Sequence, residues 1–151
     1  MRYKQKVRLK NSDFKMVAAA FHDFTFVKFL TSLQPIKIIK WTGIKENDIA
    51  HFKIWFFGWK NLFVTHKNYK KTDFSLSFID YAENSFPFGI VVWSHTHEVR
   101  DDGKSVCIID NVTYKHRSKF LGILVYPIVV FPIFTRKISY RLFFYKNYFI
   151  D

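Results

Sequence analysis

An α+β domain is the fold class this sequence predicts: a curved seven-stranded antiparallel sheet around one long C-terminal helix, with two short helices between strands 1 and 2. Three observations predict it. The first ten residues alternate in polarity with period two; strand-like runs fill residues 36–114, with turn signals too close together for parallel crossovers; and the chain closes on a long, largely apolar segment.

Strand 1 places Arg2, Lys4, Lys6, Arg8 and Lys10 on one face and Tyr3, Gln5, Val7 and Leu9 on the other, the pattern of a half-buried strand. Asn11-Ser12-Asp13 then offers a cap for a short helix carrying Phe14, Val17, Ala18 and Phe21 at spacings of three and four. A second helix begins near Asp23, turns Phe26, Val27, Leu30 and Leu33 inward, and stops before Pro35, because the residue preceding proline avoids the helical region. Turn signals at 43–47, 58–59, 70–72, 83–87 and 101–103 divide the next stretch into six strands. Ser118 caps the last segment, about 48 Å long as a helix at about 1.5 Å per residue, within which Pro127 and Pro132 predict kinks. Such a helix buries its apolar side by crossing the concave face of a bent sheet, which leaves space beneath it. No repeat, linker or low-complexity tract divides residues 1–151, so a single domain is expected.

The hairpin around Asp102-Gly103 yields the sharpest inference. With that pair at the centre of a two-residue type I′ turn, Val99 faces Val106, His97 faces Ile108, His95 faces Asp110, Trp93 faces Val112 and Val91 faces Tyr114. This apolar set points inward, and the set with Ser94, Thr96, Glu98 and Arg100 points to solvent. Buried polar groups need partners, so a hydrogen-bonded His95–Asp110 pair is expected on the inner wall. Its first role is to hold the strands in register; orienting a ligand is the second and acid–base catalysis the third.

Rings are abundant, with 19 Phe, 8 Tyr and 4 Trp in 151 residues. A composition 49% hydrophobic excludes disorder, and the lone Cys107 excludes an internal disulfide framework. With five cations rather than an apolar signal segment in the first ten residues, a cytoplasmic location is expected. The uninterrupted apolar run Phe120 to Phe134 is 15 residues, short of the ~18–20 that a bilayer span requires, so a span is not expected, while peripheral contact with a membrane surface stays open.

The stretch Phe86-Pro87-Phe88, then Trp93-Ser94-His95-Thr96-His97, then Asp110-Asn111-Val112-Thr113-Tyr114 resembles a bacterial subgroup of the SRPBCC (START-like, polyketide cyclase-like) superfamily, with its pattern G-P-F, W-x-H-x-H and D-x-V-x-Y. Gly43 with Asn47-Asp48-Ile49 is similar to that subgroup's turn between strands 2 and 3, and Phe134-Thr135-Arg136 to an aromatic–arginine element late in its terminal helix. The resemblance implies the helix-grip fold of START and Bet v proteins and a cavity for lipids, polyketides or other aromatic molecules. Members mostly bind or carry ligands, and some are cyclases or hydrolases.

The function expected is binding of a small hydrophobic molecule between sheet and terminal helix. Trp93, His95, His97, Asp110 and Tyr114 form one wall, Phe52, Ile54 and Phe56 another, and Ile128, Phe131 and Phe134 the roof. No catalytic residue, cofactor or metal is expected: His51, His66, Glu98 and Cys107 show no spacing that joins them to His95-x-His97, and phosphate-loop and nucleophile-elbow motifs are absent from the sequence. The alternatives are a cyclase or hydrolase using His95 with Asp110, and a basic membrane-surface or interaction protein. A net charge of +12 attracts anionic partners. Solvation and edge protection account for the strand 1 cations; the functional reading adds Lys67, Lys70, Lys71, Arg136, Lys137, Arg141 and Lys146. The apolar terminal helix favours an anionic membrane over nucleic acid, and its surplus apolar surface allows a monomer or a homodimer.

Overall fold

A computed structural model describes residues 1–84 and 86–146, the side chain of Lys146 excepted. The chain runs β1 (Arg2–Lys10), α1 (Phe14–Ala20), α2 (Phe24–Thr31), β2 (Ile36–Trp41), β3 (Ile49–Trp55), β4 (Trp59–Lys71), β5 (Ser75–Glu83), β6 (Ile90–Asp101), β7 (Ser105–His116) and α3 (Lys119–Lys146). The strands form one antiparallel sheet in the order β1-β7-β6-β5-β4-β3-β2. This is the helix-grip fold, with β1 and β2 as edges and α3 packed against β1, β7 and α2.

Local chemistry sets the boundaries. Asp13 accepts a hydrogen bond from Met16 N at 2.8 Å and Asp23 one from Thr25 N at 2.7 Å, satisfying donors that each helix start leaves open. α2 ends at Thr31, earlier than its apolar spacing implied, so Leu33 stands exposed. Ser118 Oγ accepts from Leu121 N, and α3 continues through Pro127 and Pro132. Two glutamines fasten that helix: Gln5 Nε2 donates to Ile133 O at 2.7 Å, and Gln34 Nε2 to Pro132 O at 2.8 Å. Tyr114 holds its start by donating to Gly122 O at 2.6 Å.

The β6–β7 turn differs from the expected one by a shift of two. Asp101 pairs with Val106, so Gly103 and Lys104 occupy the centre, with positive φ at Gly103 alone. That is the type II′ demand for glycine at the first central position. Asp102 takes the preceding corner, its Oδ1 accepting from Ser105 N and Oγ at 2.8 Å each. Trp93 therefore faces Tyr114, His95 faces Val112 and His97 faces Asp110. An even shift preserves faces. All of Trp93, His95, His97, Val99, Val106, Ile108, Asp110, Val112 and Tyr114 are buried. A bulge between Ile90 and Val92 reverses the far end, burying Ile90 in place of Val91.

Gly43 has φ +140°, and a Cβ there would collide with Asp48 Oδ2. Asp48 accepts from Lys45 N at 2.8 Å and Thr42 Oγ1 at 2.9 Å, so the β2–β3 loop is built around that carboxylate. Gly43→Ala is expected to destabilise the fold by about 1–3 kcal/mol, read as a lower urea midpoint with unchanged slope; an unchanged midpoint would show the loop free to rearrange.

Candidate functional site

Strands β4 to β7 and α3 each send polar side chains into the same interior region. Asp110, with no exposed surface, is its hub. Its Oδ1 accepts from His95 Nε2 at 2.9 Å and Tyr140 OH at 3.2 Å, and its Oδ2 from Gln5 Nε2 at 2.9 Å. His97 stands between two carboxylates: Nε2 donates to Asp80 Oδ2 at 3.1 Å, and Nδ1 lies 3.2 Å from Asp110 Oδ1 at ion-pair distance without hydrogen-bond alignment. His66 Nδ1 lies 2.9 Å from Asp80 Oδ1, again without alignment. Adjacent residues on a strand diverge, whereas alternate ones share a face, which is why His95 and His97 bring their ring centroids to 3.8 Å.

Electrostatics sorts the two imidazoles. Burial disfavours a charge on either, but carboxylates on both sides of His97 outweigh it and raise its pKa, chiefly through Asp80. For His95 burial prevails, helped by repulsion from His97, and its pKa falls to about 4. The two shifts diverge: the charged form is favoured at His97 and the neutral form at His95, whose Nε2 proton faces Asp110. Burial alone would raise Asp80 and Asp110, yet the histidines hold both well below the ordinary carboxylate range. Burial and the neighbouring Asp110 push the Tyr140 hydroxyl far up, so it is a neutral donor. Arg136 supplies a cation. The guanidinium, attracted by Asp110 and Asp80, offsets their negative charge, as a low-dielectric interior favours.

Asp80, His95 and His97 offer donor atoms within 4.8 Å of one another, the one such group among the described residues. A metal there would need to displace the proton that binds His97 to Asp80.

Beside this cluster an apolar cleft opens between the sheet and α3. Its inner chamber, about 90 Å³, is walled by Phe52, Ile54, Leu62, Val64 and Trp93 and roofed by Ile128, Val129 and Ile133, and its polar lining includes Asp80 and Arg136. Gln34, Ile36, Ile54, Ile128 and Pro132 also line an outer groove of about 390 Å³, where Trp55, Phe56 and Phe131 form the rim. Asp80 and Arg136 further border a void of about 50 Å³ that reaches His66 and His97. The indole Nε1 of Trp93 and the Nε of Arg136 are sealed from solvent without an acceptor in the protein.

The expected wall thus divides. Trp93 faces the cleft, His97 faces the small void, and His95 and Asp110 lie behind, bordering neither; Tyr114 is committed to the start of α3. Phe52 and Ile54 line the chamber, and Phe56 only the groove. Of the expected roof, Ile128 lies over the cleft, Phe131 is at the rim, and Phe134 is on the outer face of the helix, half-exposed beneath Lys137. Arg136, grouped by composition with the surface cations, turns to the interior. Asp80, Gln34 and His66 were not singled out as site residues. The one signal in reach was Arg136 breaking the helical series Val129, Ile133, Tyr140.

No protein-family model and no curated protein matches the chain. Solved structures do. Norcoclaurine synthase from Thalictrum flavum, in complex with dopamine and hydroxybenzaldehyde, superposes with TM-score 0.61 at 14% identity, over 95% of this chain and 86% of that one. Major latex-like protein 151 from Panax ginseng gives 0.57 at 12%, over 92% and 96%. A nucleoside-diphosphate sugar epimerase from Corynebacterium glutamicum gives 0.61 at 13%, and 94% of this chain spans only 29% of that much longer protein. At these identities the likeness is one of fold.

Proposed function

We propose that the protein binds a small, largely apolar molecule in the cleft, with a hydrogen-bond acceptor at its inner end facing Trp93 and Arg136. One observation carries this reading: an apolar cleft whose lining includes Trp93 and Arg136, with Asp80, where the indole Nε1 and the guanidinium Nε have no acceptor in the protein. A donor sealed from water without a partner is costly, and a carbonyl or carboxylate would relieve it. Sites for drug-sized ligands occupy about 300–1,000 Å³; the inner chamber therefore takes one end of the molecule and the outer groove the rest. The dopamine and hydroxybenzaldehyde held by the synthase of the same fold support ring-sized contents. Burial of apolar surface supplies the binding energy at about 25 cal/mol per Å².

Sealed behind Trp93, His95 has no exposed surface and borders no cavity wall, which supports binding over acid–base catalysis by the His95–Asp110 pair. A cytoplasmic setting belongs to the proposal, and the free, buried thiol of Cys107 is compatible with it.

The test has two parts. Native mass spectrometry of protein purified from its own cells is expected to show a co-purifying apolar molecule. Ile128→Trp, which fills the passage between chamber and groove, is expected to weaken binding of anilinonaphthalene sulfonate about tenfold or more. Equal affinity in both proteins would place the ligand elsewhere.

A further inference from the structure

Helix α3 has two apolar faces, and the sheet covers one of them. Val129, Ile133, Tyr140 and Phe144 are buried against the fold. On the opposite side Phe120, Leu124, Phe131, Phe134, Ile138 and Leu142 are 44–70% exposed. At about 100° per residue these positions fall on a single stripe running most of the length of the helix. A stripe this long exceeds the scattered apolar side chains that an ordinary surface carries. Cations border it: Lys119 and Arg141 are exposed at its ends, and Lys137 lies over the Phe134 ring at 5.0 Å.

We infer that this face seats the protein on the surface of a lipid bilayer rich in anionic headgroups. An apolar stripe flanked by lysine and arginine matches the boundary between acyl chains and negative headgroups, and the net charge of +12 draws the whole chain to such a surface. The same charge opposes the other occupant, a second copy, because each copy brings a net charge of +12 to the contact. Lys119–Tyr145 is long and apolar enough to cross a membrane, contrary to the expectation drawn from the shorter uninterrupted run. Its inner side, however, carries Arg136, Ser139 and Tyr140 and is fastened to the sheet through Gln5, Gln34 and Asp110, so the helix lies in the interface rather than spanning it. Phe131 belongs to both the stripe and the rim of the outer groove, which places the mouth of the cleft beside the lipid.

The experiment is flotation with vesicles of phosphatidylcholine alone or mixed equally with phosphatidylglycerol. Binding is expected only to the mixed vesicles, to weaken with salt, and to fall about tenfold or more in Phe120→Ser/Leu124→Ser/Phe134→Ser. Lys137→Glu/Arg141→Glu keeps the apolar stripe and is expected to lose the preference for phosphatidylglycerol, so the inference stays open to refutation if the serine variant fails to fold. Equal recovery in both vesicles, wild-type binding by either variant, or a dimer that the serine variant dissociates would overturn it.

Discussion

Asp110→Ala is expected to cost about 3–5 kcal/mol of folding stability, the loss that follows when one member of a buried ionic network is removed and the others are left in place. Four groups depend on that carboxylate: His95, Tyr140 and Gln5 through hydrogen bonds, and His97 through its charge. At about 2–4 °C per kcal/mol for a chain of this size, the melting temperature should drop by roughly 10 °C. Asp110→Asn separates charge from shape, since the amide oxygen can still accept from His95 while attraction for His97 is lost. Its expected signature is a lower His97 pKa and a further lowered His95 pKa in an imidazole proton titration, with a smaller stability loss than the alanine variant. Unchanged histidine titrations would show that Asp110 does not govern the cluster.

Stability should pass through a maximum near neutral pH, with its two limbs belonging to different histidines. His95 is depressed in the folded state from 6.5 to about 4, so its contribution is complete above pH 6.5 and is lost as pH falls toward 4, on the order of 3 kcal/mol at about 1.4 kcal/mol per unit. His22, also lowered by burial, adds in the same direction. Raised His97 behaves oppositely: its contribution is complete below pH 6.5 and declines as pH rises from there through its folded pKa. Depressed Asp80 and Asp110 withdraw their share at still lower pH, below the ordinary carboxylate value of 3.8. Melting temperatures across pH 4–9 test this reading. His95→Gln should flatten the limb between pH 6.5 and 4 and leave the alkaline limb; a variant with the wild-type acid limb would refute the assignment.

Much of the fold was legible because burial imposes period. Strand 1 alternates strictly, and the structure covers Gln5, Val7 and Leu9 while leaving Lys4, Lys6, Arg8 and Lys10 to solvent. The inward face of β6 and β7 was readable for the same reason. Which residue opposes which was not, because either of two adjacent positions for the turn satisfies local chemistry, and the choice fell to the corner that Asp102 makes with Ser105. The His95–Asp110 bond survived that shift because His95 reaches diagonally to Asp110.

The site was less legible than the fold. His95, His97 and Asp110 stand on neighbouring strands joined by one turn, so arithmetic along the chain could bring them together. Asp80 comes from β5 and Arg136 from α3, and no spacing rule connects them to that hairpin. Arg136 shows the limit plainly: beside Lys137 in sequence it reads as surface charge, yet the helical turn sends it inward to two carboxylates.

By itself the sequence determined the order and kind of elements, the inward faces of the strands and the burial of a histidine–aspartate pair, since these follow from periodicity and from the cost of leaving apolar surface in water. Tertiary structure alone decided which polar groups share the interior, which residues line the cleft, and which side of α3 is left uncovered. Those properties depend on distances between residues far apart in the chain, and such distances are set by packing, which local pattern does not encode.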